Sequence, residues 1–314
     1  MLRNLTEYHW ADHIDDALFL LARIDTKTVP LAGGTSLLAS NDDRVEAVVD
    51  LRDLELATIA EDARGIHIGP MATLQQIACH SFLSSFVGGI VAQAARVSSP
   101  SQAIRNSATL GGTLALGATS HADLSTVLTA LDAQAVVRSG SRTEVTLNGG
   151  MSERSGSFLS GIVYKGKHER RLDCASVSRE RLPNELIVDV VLPCLGQEMR
   201  GAFARISDTT AGVALLNVAF VADVAGEKWR SVRLVIGGGE MEPVRCIGVE
   251  QLLEGQQVHD SQVLDSALNK GMANFRPRSD RYAHGEYRKL VVISLVQQVC
   301  EAVAADIMPV RVRA

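Results

Sequence analysis

The sequence predicts an α+β protein built in two parts, and three observations carry that reading. Up to about residue 195, short apolar strands alternate with amphipathic helices, the pattern of a mixed α/β region. From about residue 199, two long strands come first and three helices follow, the pattern of an antiparallel sheet with its helices segregated. Between them, Leu195-Gly196-Gln197-Glu198 follows Pro193 and breaks the apolar pattern, as a linker does. The parts are drawn at 1–195 and 199–308, and a length of 314 residues suits two domains.

The elements follow in order. Ile14, Ala17, Leu18 and Leu21 recur at helical spacing and predict a helix over 12–23. Val29-Pro30-Leu31-Ala32 is extended and runs into a glycine pair, Gly33-Gly34-Thr35-Ser36-Leu37-Leu38. Ala47–Asp50 and Ile66–Gly69 read as short strands. Thr73 caps a helix containing Leu74, Ile77 and Ala78, and a further helix covers about 87–97. A second glycine pair, Thr109-Leu110-Gly111-Gly112-Thr113, precedes Ser120-His121-Ala122-Asp123. Leu124, Val127, Leu128 and Leu131 then recur at helical spacing, so Ser120 or Asp123 caps that helix, and Asp132–Val137 leaves it as a strand.

Over 148–183 the apolar periodicity fades. Arg154, Lys165, Lys167, Arg170, Arg171, Arg179 and Arg181 make the segment basic, and it reads as a long surface excursion. Leu186–Leu192 is a buried strand ending at Pro193. Val213–Val224 and Arg230–Ile236 are adjacent long strands joined around Gly226-Glu227, and Gly237-Gly238-Gly239 ends the second. Helices follow over 247–254, 261–272 and 279–304.

Composition narrows the function. A net charge of −5 shows no basic footprint for a phosphate backbone, and 4% aromatic content offers few stacking platforms, which argues against nucleic acid. The five cysteines, Cys79, Cys174, Cys194, Cys246 and Cys300, include no C-x-x-C, so they read as reduced thiols of a cytoplasmic protein, with no metal site. Met1–Glu7 soon turns acidic and does not read as a signal peptide, and no apolar run approaches the roughly 18 residues of a membrane span.

The chemistry-bearing candidates are few. Each glycine pair is either a turn or an anion cradle, with backbone N–H groups and hydroxyls unobstructed by side chains. Two such cradles can clamp a pyrophosphate, the group that marks a dinucleotide. Neither is G-x-G-x-x-G, so a Rossmann crevice is unsupported. Gly161–His168 nearly matches a P-loop, but His168 stands where Ser or Thr would hold Mg²⁺, and the segment reads as a loop. Arg105 suits a phosphate or a carboxylate, and Asp123 suits a helix cap or a ligand contact. His121, beside the second pair, is either a solvated loop histidine or one that approaches a ligand. Arg276–Asp280 and Tyr287-Arg288-Lys289 are caps, ion pairs or a docking surface. No nucleophile, acid–base pair or metal cluster stands out, so no catalytic residue is named.

In this order, the motifs resemble the FAD-binding medium subunits of molybdenum hydroxylases, the group of xanthine dehydrogenase flavoprotein subunits and carbon monoxide dehydrogenase medium chains. The resemblance runs from Ala32–Leu38 through Ser99-Pro100-Ser101-Gln102-Ala103-Ile104-Arg105-Asn106, Thr109–Thr113 and Asp123 to Leu131-Asp132-Ala133. It resumes at Glu185-Leu186-Ile187, Pro193, Gly237-Gly238, Pro243-Val244-Arg245, Leu253-Glu254-Gly255, Asp280 and Glu286-Tyr287-Arg288, leaving out only about 148–183. It implies a two-subdomain FAD-binding domain of the PCMH type, followed by an antiparallel sheet with helices. It implies that the backbone of Ala32, Gly33, Gly34, Thr35 and Ser36, with that of Thr109, Leu110, Gly111, Gly112 and Thr113, grips the FAD pyrophosphate. Asp123 would bond a polar part of FAD, and Ile187 would pack near the flavin ring.

The implied function is electron relay. Substrate is oxidised on a molybdopterin large subunit, electrons cross iron–sulfur clusters of a small subunit, and FAD passes them to NAD+, a quinone or another acceptor. Three departures stand out. Thr113 replaces the usual asparagine, a usual proline is missing from Gly117–Ser120, and Ala204 and Asp208 stand where a lysine and an arginine are common. A bound flavin would thereby lose a positive neighbour, which lowers its potential. The basic segment 148–183 suits a surface or subunit-docking feature. Two other readings stay open: a self-sufficient flavin oxidoreductase with its own substrate, and a scaffold subunit that has lost FAD.

Overall fold

The structure, a computed structural model, describes residues 2–117, 122–140, 167–207, 212–238 and 241–305. Strands β1 (Glu7–Trp10), β2 (Thr28–Leu31) and β3 (Ala47–Asp50) form a parallel three-stranded sheet in the order β1-β3-β2. The central strand β3 is buried at all four positions, as expected of a parallel strand covered on both faces. Helix α1 (Ile14–Leu21) lies within the predicted 12–23, with Asp15 and Asp16 in its first turn, where carboxylates suit the helix dipole.

A second sheet is antiparallel with five strands: β4 (Ile59–Asp62), β5 (Gly65–Ile68), β6 (Gln134–Gly140), β7 (Lys167–Asp173) and β8 (Glu185–Pro193), in the order β4-β5-β8-β6-β7. Alternation splits its side chains between two cores. Leu186, Val188 and Val136 meet Leu18 and Leu21 of α1, while Ile187, Val190, Ile68 and Val137 meet a helical layer. That layer comprises α2 (Leu74–Cys79), α3 (Ser81–Ser85), α4 (Ile90–Val97), α5 (Gln102–Ser107), α6 (Leu110–Leu116) and α7 (Ala122–Ala130). Thr73 caps α2 as expected, its hydroxyl accepting the Gln76 amide at 3.2 Å.

The basic stretch corrects the sequence reading. Residues 167–173 are strand β7, paired with β6, and Val177–Glu180 form a short helix, α8. Arg170 reaches back to Glu185, with Nε at 2.7 Å and Nη2 at 2.8 Å, so part of the charge is internal to the sheet. Residues 148–166 of the predicted excursion, 161–166 of the P-loop-like segment among them, lie outside the described residues. His168 stands on β7.

The third sheet is antiparallel: β9 (Met199–Ser207), β10 (Ala214–Asp223), β11 (Arg230–Gly238) and β12 (Met241–Arg245), in the order β12-β11-β10-β9. The sequence showed β10 and β11. It did not show β9, where alanines and arginines leave little apolar alternation. One face of this sheet, with Leu216, Val218 and Phe220, packs on α9 (Ile247–Leu253), α10 (Ser261–Gly271) and α11 (Gly285–Ala304). The other face, with Phe203, Ala219, Val221 and Val235, joins the core of α4 and α7. The final helix starts later than the predicted 279 because Asp280 folds the chain into a turn, accepting the amides of Tyr282 and Ala283.

Candidate cofactor site

The first glycine pair leaves β2 as an open loop. Gly34 has φ +69°, a left-handed conformation that glycine adopts at no steric cost. Gly33 packs so closely on the end of α5 that a Cβ there would lie 1.7 Å from the Ser107 carbonyl oxygen. The amides of Gly33, Gly34, Thr35 and Ser36 donate no hydrogen bond to any described residue. Consecutive free N–H groups around a left-handed glycine make a concavity suited to an anion.

The second pair differs from the loop that the sequence suggested. It is the first turn of α6, with Thr109 as N-cap, and its amides are engaged. Leu110 N–H donates to Ala72 O at 2.9 Å, Gly111 to Pro70 O at 2.8 Å, Gly112 to the Thr109 hydroxyl at 3.2 Å and Thr113 to Thr109 O at 3.0 Å. Thr109 takes the last two of these bonds, and its hydroxyl satisfies a helix-start donor that would otherwise lack a partner; Pro70 and Ala72 take the first two. Gly111 also presses on Pro70, whose Cβ would be 2.7 Å from an added methyl. What the second pair offers a ligand is a close, side-chain-free surface.

Both segments line one cavity of about 890 Å³, within the range of small-molecule and cofactor sites. Of the residues singled out in the sequence, the structure brings together Ala32, Gly33, Gly34, Thr35, Ser36, Thr109, Gly111, Gly112, Thr113 and Ile187 on its wall. Leu110 is turned into the core behind it. Asp123 is set back, 1% exposed, accepting from Asn217 Nδ2 at 2.9 Å. Pro30, Leu51, Met71, Leu74 and Leu186 give the cavity its apolar lining.

Two arginines stand on this wall: Arg205, which the sequence did not single out, and Arg181, which the sequence reading counted in the basic surface segment. Arg181 donates through Nη1 to Glu185 O at 2.7 Å and Leu182 O at 3.0 Å. Burial pulls its guanidinium below the ordinary value, with Glu185 acting in the opposite direction. Arg205 is 8% exposed and donates to Val97 O at 3.1 Å and Gly212 O at 2.7 Å. Its signal was strand alternation on β9, visible only once β9 is known. The same alternation turns Ala204 into the C-terminal core and Arg205 to the cavity. Asp208 lies outside the described residues. Glu185 also lines the cavity. Its own burial is outweighed by hydrogen bonds from Arg170 and the Leu182 amide, which hold its carboxyl below the usual range.

Other sequence candidates have structural duties. Arg105 holds the turn before α5, donating to Ser99 O at 2.6 Å, Pro100 O at 3.1 Å and Gln75 Oε1 at 2.9 Å. Arg288 is fully buried and paired with Asp280 at 2.7 Å, which favours the ion-pair reading over docking. Ser120 and His121 lie outside the described residues. Among the described residues no group of three or more His, Cys, Asp or Glu is placed to hold a metal ion.

Residues 3–160 match the family described as the FAD binding domain in molybdopterin dehydrogenase. The chain belongs to that family. Residues 202–303 match the CO dehydrogenase flavoprotein C-terminal domain. The chain is 28% identical over 312 residues to the xanthine dehydrogenase FAD-binding subunit of Escherichia coli O157:H7, covering 96% of this chain and 97% of that one. It is 24% identical over 309 residues to the carbon monoxide dehydrogenase medium chain of Afipia carboxidovorans, covering 97% and 99%. The fold is that of a chain in the Cu,Mo-CO dehydrogenase crystal structure, with a TM-score of 0.79 at 22% identity over 97% of this chain and 99% of that one.

The residues present fit the cofactor of this FAD-binding family. Free amides at Gly33–Ser36, a glycine-surfaced helix start opposite and two arginines suit a pyrophosphate, and the apolar walls suit a flat ring system.

Proposed function

We propose that this chain is the FAD-binding electron-transfer subunit of a molybdenum hydroxylase. In this reading, electrons come from the iron–sulfur clusters of a small subunit, after substrate is oxidised on a molybdopterin large subunit. They leave to NAD+, a quinone or another acceptor. The observation that carries the reading is the convergence of both glycine segments and Ile187 on one cavity. Bound FAD supplies the redox chemistry, accepting and passing electrons.

The chain's own residues bind and orient. The amides of Gly33–Ser36 hold the pyrophosphate, and Thr109, Gly111, Gly112 and Thr113 let it approach the start of α6. Ile187 packs near the ring and excludes water, and Leu186 adds to the apolar wall. The FAD-binding part spans 1–195 and the C-terminal part 199–308. No helix among the described residues is long and apolar enough to cross a membrane; that the complex is cytoplasmic is part of this proposal. The relatives named for xanthine and carbon monoxide dehydrogenases support the subunit role, since they align along nearly their whole length.

The test is direct. The purified chain should be yellow and release FAD on denaturation, and it should co-purify with two further chains when the neighbouring genes are expressed. A chain that stays colourless in excess FAD overturns the cofactor role. Bleaching of the flavin by a small substrate with the isolated chain overturns the subunit role.

A further inference from the structure

The cofactor cavity holds a cation that the glycine motifs do not account for. Arg205 enters the wall from β9 and is 8% exposed. Nη1 donates to Val97 O at 3.1 Å and Nη2 to Gly212 O at 2.7 Å. Its buried Nε has no hydrogen-bond partner and lies 3.5 Å from Asp123 Oδ1. A guanidinium carries five N–H donors. Two are spent on carbonyls and one faces Asp123, so one hydrogen on each Nη has no acceptor among the described residues. Buried donors are satisfied in folded proteins, and leaving a charged one unmet is costly. The missing acceptor is therefore expected from whatever fills the cavity.

Asp123 stands behind this arginine. It is 1% exposed and absent from the cavity wall. Its Oδ1 accepts from Asn217 Nδ2 at 2.9 Å, and Asn217 Oδ1 accepts from the Thr126 hydroxyl at 2.8 Å. Asn217 is fully buried on β10, directly opposite Arg205 in the β9–β10 register. The bonds tie α7 to the third sheet and fix the carboxylate against the arginine.

We infer that Arg205 donates hydrogen bonds to an electron-rich oxygen of bound FAD, and that Asp123 is its positioning residue, acting through Arg205 without touching the cofactor. The inference builds on the FAD reading above. The acceptor is a pyrophosphate oxygen or a carbonyl oxygen at the ring edge.

The test uses the full chain, stripped of flavin and titrated with FAD, with circular dichroism to monitor the fold. Arg205→Gln should raise the FAD Kd about tenfold or more, the loss of a charge-assisted hydrogen bond. Asp123→Asn should raise it less, and the double variant should be no worse than Arg205→Gln alone, because one residue acts through the other. A midpoint potential unchanged in Arg205→Gln, beside the weaker binding, places the acceptor on the pyrophosphate. A lowered potential places it on the ring, and both outcomes support the inference. Wild-type affinity together with wild-type potential in Arg205→Gln overturns it. Additive effects of the two substitutions overturn the positioning role. If Arg205→Gln loses the native spectrum, Arg205→Lys decides by the same criteria, since an ammonium cannot span both carbonyls and still donate forward. A wild-type chain that takes up no FAD overturns the parent reading before any variant is made.

Discussion

Alanine at Gly33 puts a methyl group where the structure has no room. Its Cβ would lie 1.7 Å from Ser107 O and 2.6 Å from the carbonyl carbon, both backbone atoms. The Ser107 side cannot yield cheaply. The Ala108 amide next to it donates to Ile104 O at 2.7 Å, and Ala108 O accepts the Leu74 amide at 2.9 Å. The glycine loop must therefore retreat by more than an ångström. Overpacking of this kind costs about 1–3 kcal/mol, which lowers Tm by about 2–4 °C for each kcal/mol in a protein of this size class. The larger effect falls on the cofactor. Moving the Gly33–Ser36 amides away from the α6 start breaks at least one charge-assisted bond, worth about 1.5–3 kcal/mol, so the FAD Kd should rise about tenfold or more. The assay is fluorescence titration of apoprotein with FAD beside a thermal melt. Two controls isolate the cause. Gly196→Ala meets nothing within 4 Å and should change neither measurement. Gly112→Ala meets only Thr109 Oγ1, at 3.0 Å, and gains about 1 kcal/mol of helix propensity, so it should keep its Tm and lose affinity only. A Gly33→Ala protein with wild-type Tm and wild-type FAD affinity would refute the steric argument and the clamp together.

Two further outcomes follow from the charged groups. His67 lies between Asp189 and Asp62, with Nδ1 2.6 Å from Asp189 Oδ2 and Nε2 3.1 Å from Asp62 Oδ1. The bond to Asp189 raises its pKa against the opposing effect of burial. A raised folded value means that the stabilisation is complete below the ordinary histidine pKa of 6.5 and is lost as pH climbs through the folded value. His67→Gln should flatten this part of the Tm–pH profile, and superimposable profiles would sink the assignment. Arg288→Met should strand Asp280 as a buried charge, at a cost of about 3–5 kcal/mol and roughly 10 °C in Tm. A melt indistinguishable from wild type would show that the pair does not hold α11 to the turn that precedes it.

The parts of the fold that the sequence disclosed are those where one period dominates. Leu124, Val127, Leu128 and Leu131 mark α7 because each falls on the same buried face. β10 and β11 are legible as long apolar runs because both of their faces are covered. β7 was lost because its Lys167–Asp173 run is charged, and only pairing with β6 makes it a strand. The two glycine pairs were legible as a set, yet their roles were not. Whether a glycine amide is free depends on what approaches it, and Pro70 and Ala72 come from a distant part of the chain.

Arg205 shows why the remainder of the site needed the fold. On β9 the side chains of Ala202, Ala204 and Ile206 enter the C-terminal core, while Phe203 faces the other core and Arg205 the cavity. A lysine at 204 on this register would carry its ammonium into the apolar cluster that holds Leu216, Phe220 and Val296. A cation one position later instead reaches Val97 O, Gly212 O and Asp123. Parity along one strand therefore decides whether a basic residue faces the core or the cavity. A count of basic residues at family positions misses this. The same sheet that seats the C-terminal helices closes the cavity with its opposite face, so the C-terminal half contributes a wall and a charge to the cavity proposed for FAD.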